Sequence, residues 1–265
     1  MAVFDLVTPE AWAAHAASDT RVIVDARAAA DYWQGHLPQA RHLDPAVLAL
    51  FRTDAASLTR FQALLVWALS SLGITRTTPV LVLGAQNDTP GAKVAWALAY
   101  AGVQRVSLLD GGLAGWTGEL TQAAPSVAPA RYEPDFQSAY LASAQDVLAA
   151  SQQGGLVLDA RSREEFDGQR SNAGRPGRVP GAVFWDVSRE LDGTGRYAEA
   201  ATVARQAETL GASPQAPTLI YCGGGGRAAR AFVALQLAGK AASVYPASWL
   251  EWGVDPQYPV QNTAS

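Results

Sequence analysis

The sequence repeats itself, and this repeat constrains the fold more than any other feature of the chain. The segment Val22-Ile-Val-Asp-Ala-Arg27 in the first half returns as Leu156-Val-Leu-Asp-Ala-Arg161 in the second. Further matches follow in the same order: segments 37–40 and 179–182, 79–83 and 217–221, 96–102 and 233–239, and Trp116 and Trp252. Five ordered matches predict two copies of one domain. The length of 265 residues agrees with this, at about 150 residues per domain.

The boundary between the copies falls between Thr121 and Ala139. Three prolines, Pro125, Pro129 and Pro134, interrupt this stretch, which has little hydrophobic periodicity. The sequence therefore predicts a first domain over residues 1–122, a linker over 123–139 and a second domain over 140–265.

Each copy alternates short apolar runs with helical patterns. The runs lack the strict alternation of half-exposed strands, as is typical of strands buried on both faces of a parallel sheet. Strands are predicted over residues 22–24, 80–83, 105–109, 156–158, 218–221 and 242–245, and helices over 57–72, 92–101 and 228–237. This alternation predicts an α/β fold, with a mainly parallel sheet flanked by helices in each copy.

Composition excludes several classes of protein. Hydrophobic residues make up 49% of the chain and charged residues 17%, which excludes an intrinsically disordered chain. The net charge of −4 and the pI of about 5.4 argue against a nucleic-acid partner. No run of about 18 apolar residues is present, so no membrane partner or span is expected. Asp5 and the lack of a basic N-terminal region do not match a secretory signal, and we expect a cytoplasmic protein.

The chain has one cysteine, Cys222, and its three histidines are His15, His36 and His42. One cysteine cannot form an internal disulfide, a dithiol pair or a multi-cysteine zinc site. The histidines show no metal-binding spacing. We therefore expect no metal and no other cofactor.

The lone cysteine opens a glycine-rich loop between a predicted strand and a predicted helix. This position, at the carboxyl end of a strand, is where α/β proteins place ligand sites. Glycines let backbone N–H groups point inward, and the helix N-terminus adds partial positive charge, so the loop can hold an anion or stabilise a thiolate. An inert buried cysteine beside a flexible turn is the alternative. The candidate residues are Cys222, Gly223, Gly224, Gly225, Gly226, Arg227 and Ala228.

Other glycine-rich anion loops fit this segment less well. Gly223-x-Gly225-x-x-Ala228 formally matches a dinucleotide fingerprint, but any glycine run satisfies it and too little chain follows. No Gly-Lys-Ser/Thr follows, which excludes a phosphate P-loop. Cysteine phosphatases separate their cysteine and arginine by five residues, whereas four separate Cys222 from Arg227. We therefore place phosphatase activity third among the candidate functions, after the two that are described below.

With these features the chain resembles the rhodanese (sulfurtransferase) family in its tandem two-domain form, over nearly all of its length. The resemblance implies an inactive first domain and a catalytic second domain. The first-half counterpart of the cysteine loop, residues 84–88, has no thiol. The segments that carry the resemblance are 25–27 and 159–161, 35–40 and 177–182, the loop beginning at Cys222, and the closing motifs 109–116 and 244–252.

The resemblance implies a thiosulfate sulfurtransferase, with 3-mercaptopyruvate as the other candidate donor. Cys222 would take the outer sulfur of the donor as a persulfide and pass it to a thiophilic acceptor such as cyanide or a thiol. The N–H groups of residues 223–228 would stabilise both sulfur anions, and Asp159 and Arg161 would support the loop. The alternative is a persulfide carrier or anion-binding module that serves a protein partner, because an all-glycine loop interior offers little side-chain recognition.

Departures from the family pattern leave the donor open. Thiosulfate-type members often carry basic residues inside the loop, and mercaptopyruvate-type members have a less charged loop. Glu165 stands where some relatives place an anion-binding arginine. Any of Arg170, Arg175 and Arg178 could replace that arginine, or this segment could be a solvated surface loop.

Overall fold

A computed structural model describes residues 3–15, 19–214 and 218–262. The chain divides into two compact units, and each unit includes a short segment from the other half of the sequence. No helix in these ranges is long and apolar enough to cross a membrane. The first unit comprises Met1–Leu48, Arg60–Gln137 and Leu191–Tyr197; the second comprises Ala49–Thr59, Ser138–Glu190 and Ala198–Ser265.

The first unit contains a five-stranded parallel sheet. Its strands are β1 (Phe4–Val7), β2 (Val22–Asp25), β3 (Arg41–His42), β4 (Val80–Leu83) and β5 (Val106–Leu109). They lie side by side in the order β1-β5-β4-β2-β3. Every residue of β4 and β5 is buried, which explains why both strands are apolar throughout.

The second unit contains a four-stranded parallel sheet. Its strands are β6 (Val157–Asp159), β7 (Val183–Phe184), β8 (Thr218–Tyr221) and β9 (Ala242–Val244), in the spatial order β7-β6-β8-β9. Asp159 at the end of β6 pairs in register with Tyr221 at the end of β8. The residues that follow these two strands therefore emerge at the same edge of the sheet.

Helices separate the strands along the chain. They are α1 (Pro9–His15), α2 (Ala29–Gln34), α3 (Ala55–Ser71), α4 (Thr89–Ala101), α5 (Ala144–Gln153), α6 (Arg163–Phe166), α7 (Ala200–Thr209), α8 (Gly226–Leu237) and α9 (Ser248–Trp252). The α4 helix is buried from Gly91 to Ala101 except at Lys93, and accordingly the other residues of this range are apolar.

The predicted α/β class, with two parallel sheets flanked by helices, is confirmed. The predicted strands correspond to β2, β4, β5, β6, β8 and β9, and the predicted helices to α3, α4 and α8. The sequence analysis missed β1, β3 and β7. The β3 and β7 strands have two residues each, which is too short for any periodicity to appear.

Candidate active site

The cysteine loop lies between β8 and α8, as its sequence predicts. Cys222 follows β8 directly and is 1% exposed. Its N–H donates to Ser248 Oγ at 3.0 Å, and its carbonyl accepts the N–H of Trp249 at 3.0 Å. The carbonyl of Gly223 accepts the N–H of Leu250, also at 3.0 Å. The start of α9 therefore fixes the backbone at the first two residues of the loop.

The sulfur of Cys222 contacts a backbone donor within its own loop. The N–H of Gly225 donates to Cys222 Sγ at 3.1 Å. Gly225 has φ of +89°, and a Cβ there would lie 2.5 Å from the carbonyl oxygen of Pro246. Only glycine fits this backbone without strain. The loop thus directs a backbone N–H donor at the sulfur.

Ser248 is a second polar contact of the loop, and the sequence analysis did not single it out. Its hydroxyl donates to the carbonyl of Tyr245 at 2.7 Å and lies 3.9 Å from Cys222 Sγ. Ser248 is fully buried and has φ of +55°, an uncommon conformation for a residue with a side chain. The only sequence signal was its place beside Trp249 in the closing motif.

Arg227, at the far end of the loop, is paired with Glu165. Arg227 Nη1 lies 2.7 Å from Glu165 Oε2, and Nη2 lies 3.2 Å from Oε1. Burial favours a raised pKa for Glu165, but the hydrogen bonds from Arg227 and the N–H of Ser162 outweigh it and lower the pKa to about 2. Burial also opposes the charge of Arg227, but Glu165 and Cys222 raise its pKa overall. The pair is ionised at neutral pH.

Asp159 and Arg161 form a buried pair behind the loop. Arg161 Nε and Nη2 donate to the two carboxylate oxygens of Asp159 at 2.9 and 2.7 Å. The guanidinium lies 4.2 Å from the ring centroid of Trp249, and the hydroxyl of Tyr221 donates to Asp159 at 2.5 Å. The pair thus contacts Tyr221, which precedes Cys222, and Trp249, whose N–H binds the carbonyl of Cys222. No contact joins either charged group to the sulfur among the described residues.

Two of the three arginines in the Arg170–Arg178 segment serve the fold. Arg175 donates from Nη2 to the carbonyls of residues 252, 255 and 258, at 2.7 to 3.0 Å. Arg178 donates to the carbonyl of Phe166 at 3.2 Å and lies over its ring at 4.5 Å. Arg170 is exposed. Arg175 and Arg178 are thus committed to backbone and ring contacts.

The first unit builds the same loop without a thiol. The N–H groups of Leu113 and Ala114 donate to the carbonyls of Gly84 and Ala85 at 3.0 and 2.9 Å. The second unit has the same two backbone bonds at its cysteine loop, from Trp249 and Leu250. Asp88 turns its carboxylate back into the loop and accepts the N–H of Ala85 at 3.0 Å. A Cβ on Gly84 would overlap that carboxylate. The first loop therefore holds its own side-chain anion.

The described ranges contain no group of three or more histidine, cysteine, aspartate and glutamate side chains placed to hold a metal ion. The chemistry available at the second loop is that of a sulfur nucleophile, a backbone donor and a balanced ion pair.

Comparison with known proteins agrees with this architecture. A family described as "Rhodanese-like domain" matches residues 8–119 and 143–255. Three relatives carry different names. A thiosulfate sulfurtransferase of Azotobacter vinelandii is 28% identical over 91% of this chain and 90% of its own. The sulfur carrier protein TtuD of Thermus thermophilus is 28% identical over 84% of each. A 3-mercaptopyruvate sulfurtransferase of Escherichia coli is 27% identical over 94% of this chain and 95% of its own.

Proposed function

Because both halves of this chain belong to the rhodanese family, we propose that it is a sulfurtransferase that works through a persulfide on Cys222. The sulfur donor is thiosulfate or 3-mercaptopyruvate, and the acceptor is a thiophile such as cyanide or a thiol. One observation carries the proposal. The single cysteine of the chain lies in a glycine loop whose Gly225 N–H donates to its sulfur at 3.1 Å.

In the first step the thiolate of Cys222 attacks the outer sulfur of the donor. A bond forms between Sγ and that sulfur, and the donor's bond to it breaks. With thiosulfate the bonding pair leaves on sulfite. With 3-mercaptopyruvate the carbon–sulfur bond breaks, and the carbon takes the proton of the donor's thiol to give pyruvate. The Gly225 N–H stabilises the sulfur anion before and after the transfer.

In the second step the acceptor attacks the outer sulfur of the persulfide. Cyanide leaves with that sulfur as thiocyanate, and Cys222 departs as the thiolate that began the cycle. The step needs no general base because the leaving group is an anion that the loop already stabilises. Arg227 and the loop N–H groups remain in place through both steps. Asp159 and Arg161 act from behind the loop as supports.

The test is sulfur loading, followed by intact mass. The wild-type protein and Cys222→Ala are treated with each donor, and loading adds about 32 Da, the mass of one sulfur atom. We expect loading of the wild type by at least one donor, loss of the added mass on treatment with cyanide, and no loading of the variant. A wild-type protein that is folded but gains no sulfur from either donor would refute the proposal.

A carrier that hands its sulfur to a partner protein is the second candidate. The relative named a sulfur carrier protein favours it, as does the lack of side chains inside the glycine loop. A carrier would load at Cys222 but turn over slowly with cyanide or small thiols. Steady-state turnover that matches the loading rate would instead establish the enzyme.

A further inference from the structure

Glu165 and Arg227 form a two-pronged ion pair beside the cysteine loop. The Glu165 side chain is 3% exposed and that of Arg227 is 29% exposed. The N–H of Ser162 and the side-chain amide of Asn172 hold the carboxylate from its other side, at 3.0 and 3.3 Å. The carboxylate is therefore fixed in one orientation, and paired guanidinium–carboxylate groups of this geometry are among the stronger ion pairs.

Arg227 is the cation placed against the thiol loop. Its Nη2 would lie 3.1 Å from a Cβ built on Gly223, the residue that follows Cys222. Burial opposes the charge of Arg227, but Glu165 and Cys222 raise its pKa overall. An anionic donor that enters the loop beside Gly223 therefore approaches this guanidinium.

Two nearby arginines are bound to groups outside this loop. Arg161 has a fully buried side chain paired with Asp159. Arg175 donates to backbone carbonyls. With the Cys222 thiolate, Arg227 and Glu165 ionised, these three groups together carry one net negative charge.

We propose that Glu165 determines donor specificity by charge: it balances Arg227, so that singly charged donors are favoured over doubly charged ones. This inference rests on the proposed function, and it deepens that function by naming the donor class. Thiosulfate brings two negative charges, whereas 3-mercaptopyruvate and organic thiosulfonates bring one. The energy of interaction with a fixed charge scales with the charge of the donor. The repulsion energy between Glu165 and thiosulfate is therefore twice that between Glu165 and a singly charged donor. The logarithm of the rate is lowered twice as much for thiosulfate.

Two donors that react in the same way but differ in charge separate the effect of donor charge from that of the reaction itself. Thiosulfate and methanethiosulfonate both present a terminal sulfur bonded to a sulfonyl sulfur. In both cases the Cys222 thiolate forms a bond to the terminal sulfur, and the sulfur–sulfur bond of the donor breaks. The bonding pair leaves on sulfite or on methanesulfinate. The two reactions differ chiefly in the charge that the donor carries into the site.

The experiment compares the loading rates of these donors in wild type, Glu165→Gln and Glu164→Gln. Glutamine keeps the size of Glu165 and can accept one of the two hydrogen bonds from Arg227 with its amide oxygen, but it removes the charge. Glu164 is the exposed neighbour on α6, so Glu164→Gln makes the same change in net charge away from the ion pair. For Glu165→Gln we expect a gain of about threefold with methanethiosulfonate and, on the doubled logarithmic scale, about tenfold with thiosulfate. Glu164→Gln should change the ratio of the two rates by less than twofold.

Salt gives a second readout that does not depend on a variant that folds. Added salt screens charges over about 10 Å at 0.1 M. In the wild type, the rate with thiosulfate should rise relative to methanethiosulfonate as salt is added, and this slope should flatten in Glu165→Gln. If the ratio of the thiosulfate rate to the methanethiosulfonate rate does not change with salt in the wild type, the inference is overturned. So would equal changes with both donors in Glu165→Gln, since Glu165 would then only position Arg227. Failure of both donors to load wild-type Cys222 would instead count against the proposed function.

Discussion

Removal of the Ser248 hydroxyl is a sharp test of how the loop is held. This hydroxyl accepts the N–H of Cys222 at 3.0 Å and donates to the carbonyl of Tyr245 at 2.7 Å. Ser248→Ala leaves both buried backbone groups without this partner, and each such loss costs about 1–3 kcal/mol. We expect the free energy of unfolding to fall by about 2–6 kcal/mol. At roughly 3 °C per kcal/mol, the melting temperature should fall by about 6–18 °C.

The same change should slow the loading of sulfur onto Cys222. The hydroxyl fixes the backbone that carries Sγ, and displacement of a reacting atom by about 1 Å can cost a hundredfold in rate. We therefore expect a loss of at least about tenfold, equal for both donors, measured by intact mass against time at a temperature where the variant is folded.

Ser243→Ala is the matched control for Ser248→Ala. Ser243 is also buried, and its hydroxyl donates to the carbonyl of Ala139 at 2.5 Å, away from the loop. This control should lose stability, by about 1–2 kcal/mol, but should load sulfur at the wild-type rate. If Ser248→Ala loads sulfur as fast as Ser243→Ala, the Gly225 N–H alone is enough to position the sulfur. Our account, in which the Ser248 hydroxyl fixes the backbone of Cys222, would then be wrong.

Three further changes probe the loops and the ion pair. Gly225→Ala should lower loading severely, because φ of +89° and the nearby carbonyl oxygen leave no room for a Cβ; intact mass after donor treatment measures this, and wild-type loading would contradict it. Gly84→Cys in a Cys222→Ala background should gain no sulfur, because the Asp88 carboxylate fills the first loop; an added mass of about 32 Da would refute that explanation. Glu165, with its pKa lowered from 4.5 to about 2, stabilises the fold above pH 4.5, and this contribution is lost as the pH falls towards 2. Between pH 5 and pH 2 the free energy of unfolding in urea should therefore fall by about 3 kcal/mol less in Glu165→Gln than in the wild type. The same fall in both proteins would contradict the lowered pKa of Glu165.

The sequence predicts well those features that depend only on residues close together in the chain. The buried strands β4 and β8 are apolar runs of four residues each, and such runs bounded by turn residues identify buried strands locally. The cysteine loop is likewise one continuous segment between a strand and a helix. The repeat adds the global information, because ordered matches in the two halves predict two copies of one fold without any knowledge of contacts.

The features that it does not predict depend on residues far apart in the chain. Ser248 contacts Cys222 only because α9 folds back onto the loop. The pairing of Glu165 with Arg227 joins α6 to α8, and no local pattern distinguishes it from an exposed carboxylate on α6. The sequence offers Arg175 as a candidate anion ligand because it lies in the Arg170–Arg178 segment, shortly after the position where some relatives place an anion-binding arginine. Its backbone acceptors lie some 80 residues further along the chain, and short-range patterns do not reveal them.

The two loops share one backbone arrangement and differ in the side-chain atom that each encloses. Both follow a central strand, and in both the next closing segment donates two N–H groups to the loop carbonyls. In the first loop the N–H of Ala85 donates to the Asp88 carboxylate at 3.0 Å. In the second, the N–H of Gly225 donates to Cys222 Sγ at 3.1 Å. Both loops thus direct a backbone N–H inward at an electron-rich side-chain atom, and the partner in the first is already an anion. The second loop has no carboxylate of its own, and under the proposed function a persulfide of Cys222 would accept the N–H of Gly225 in its place.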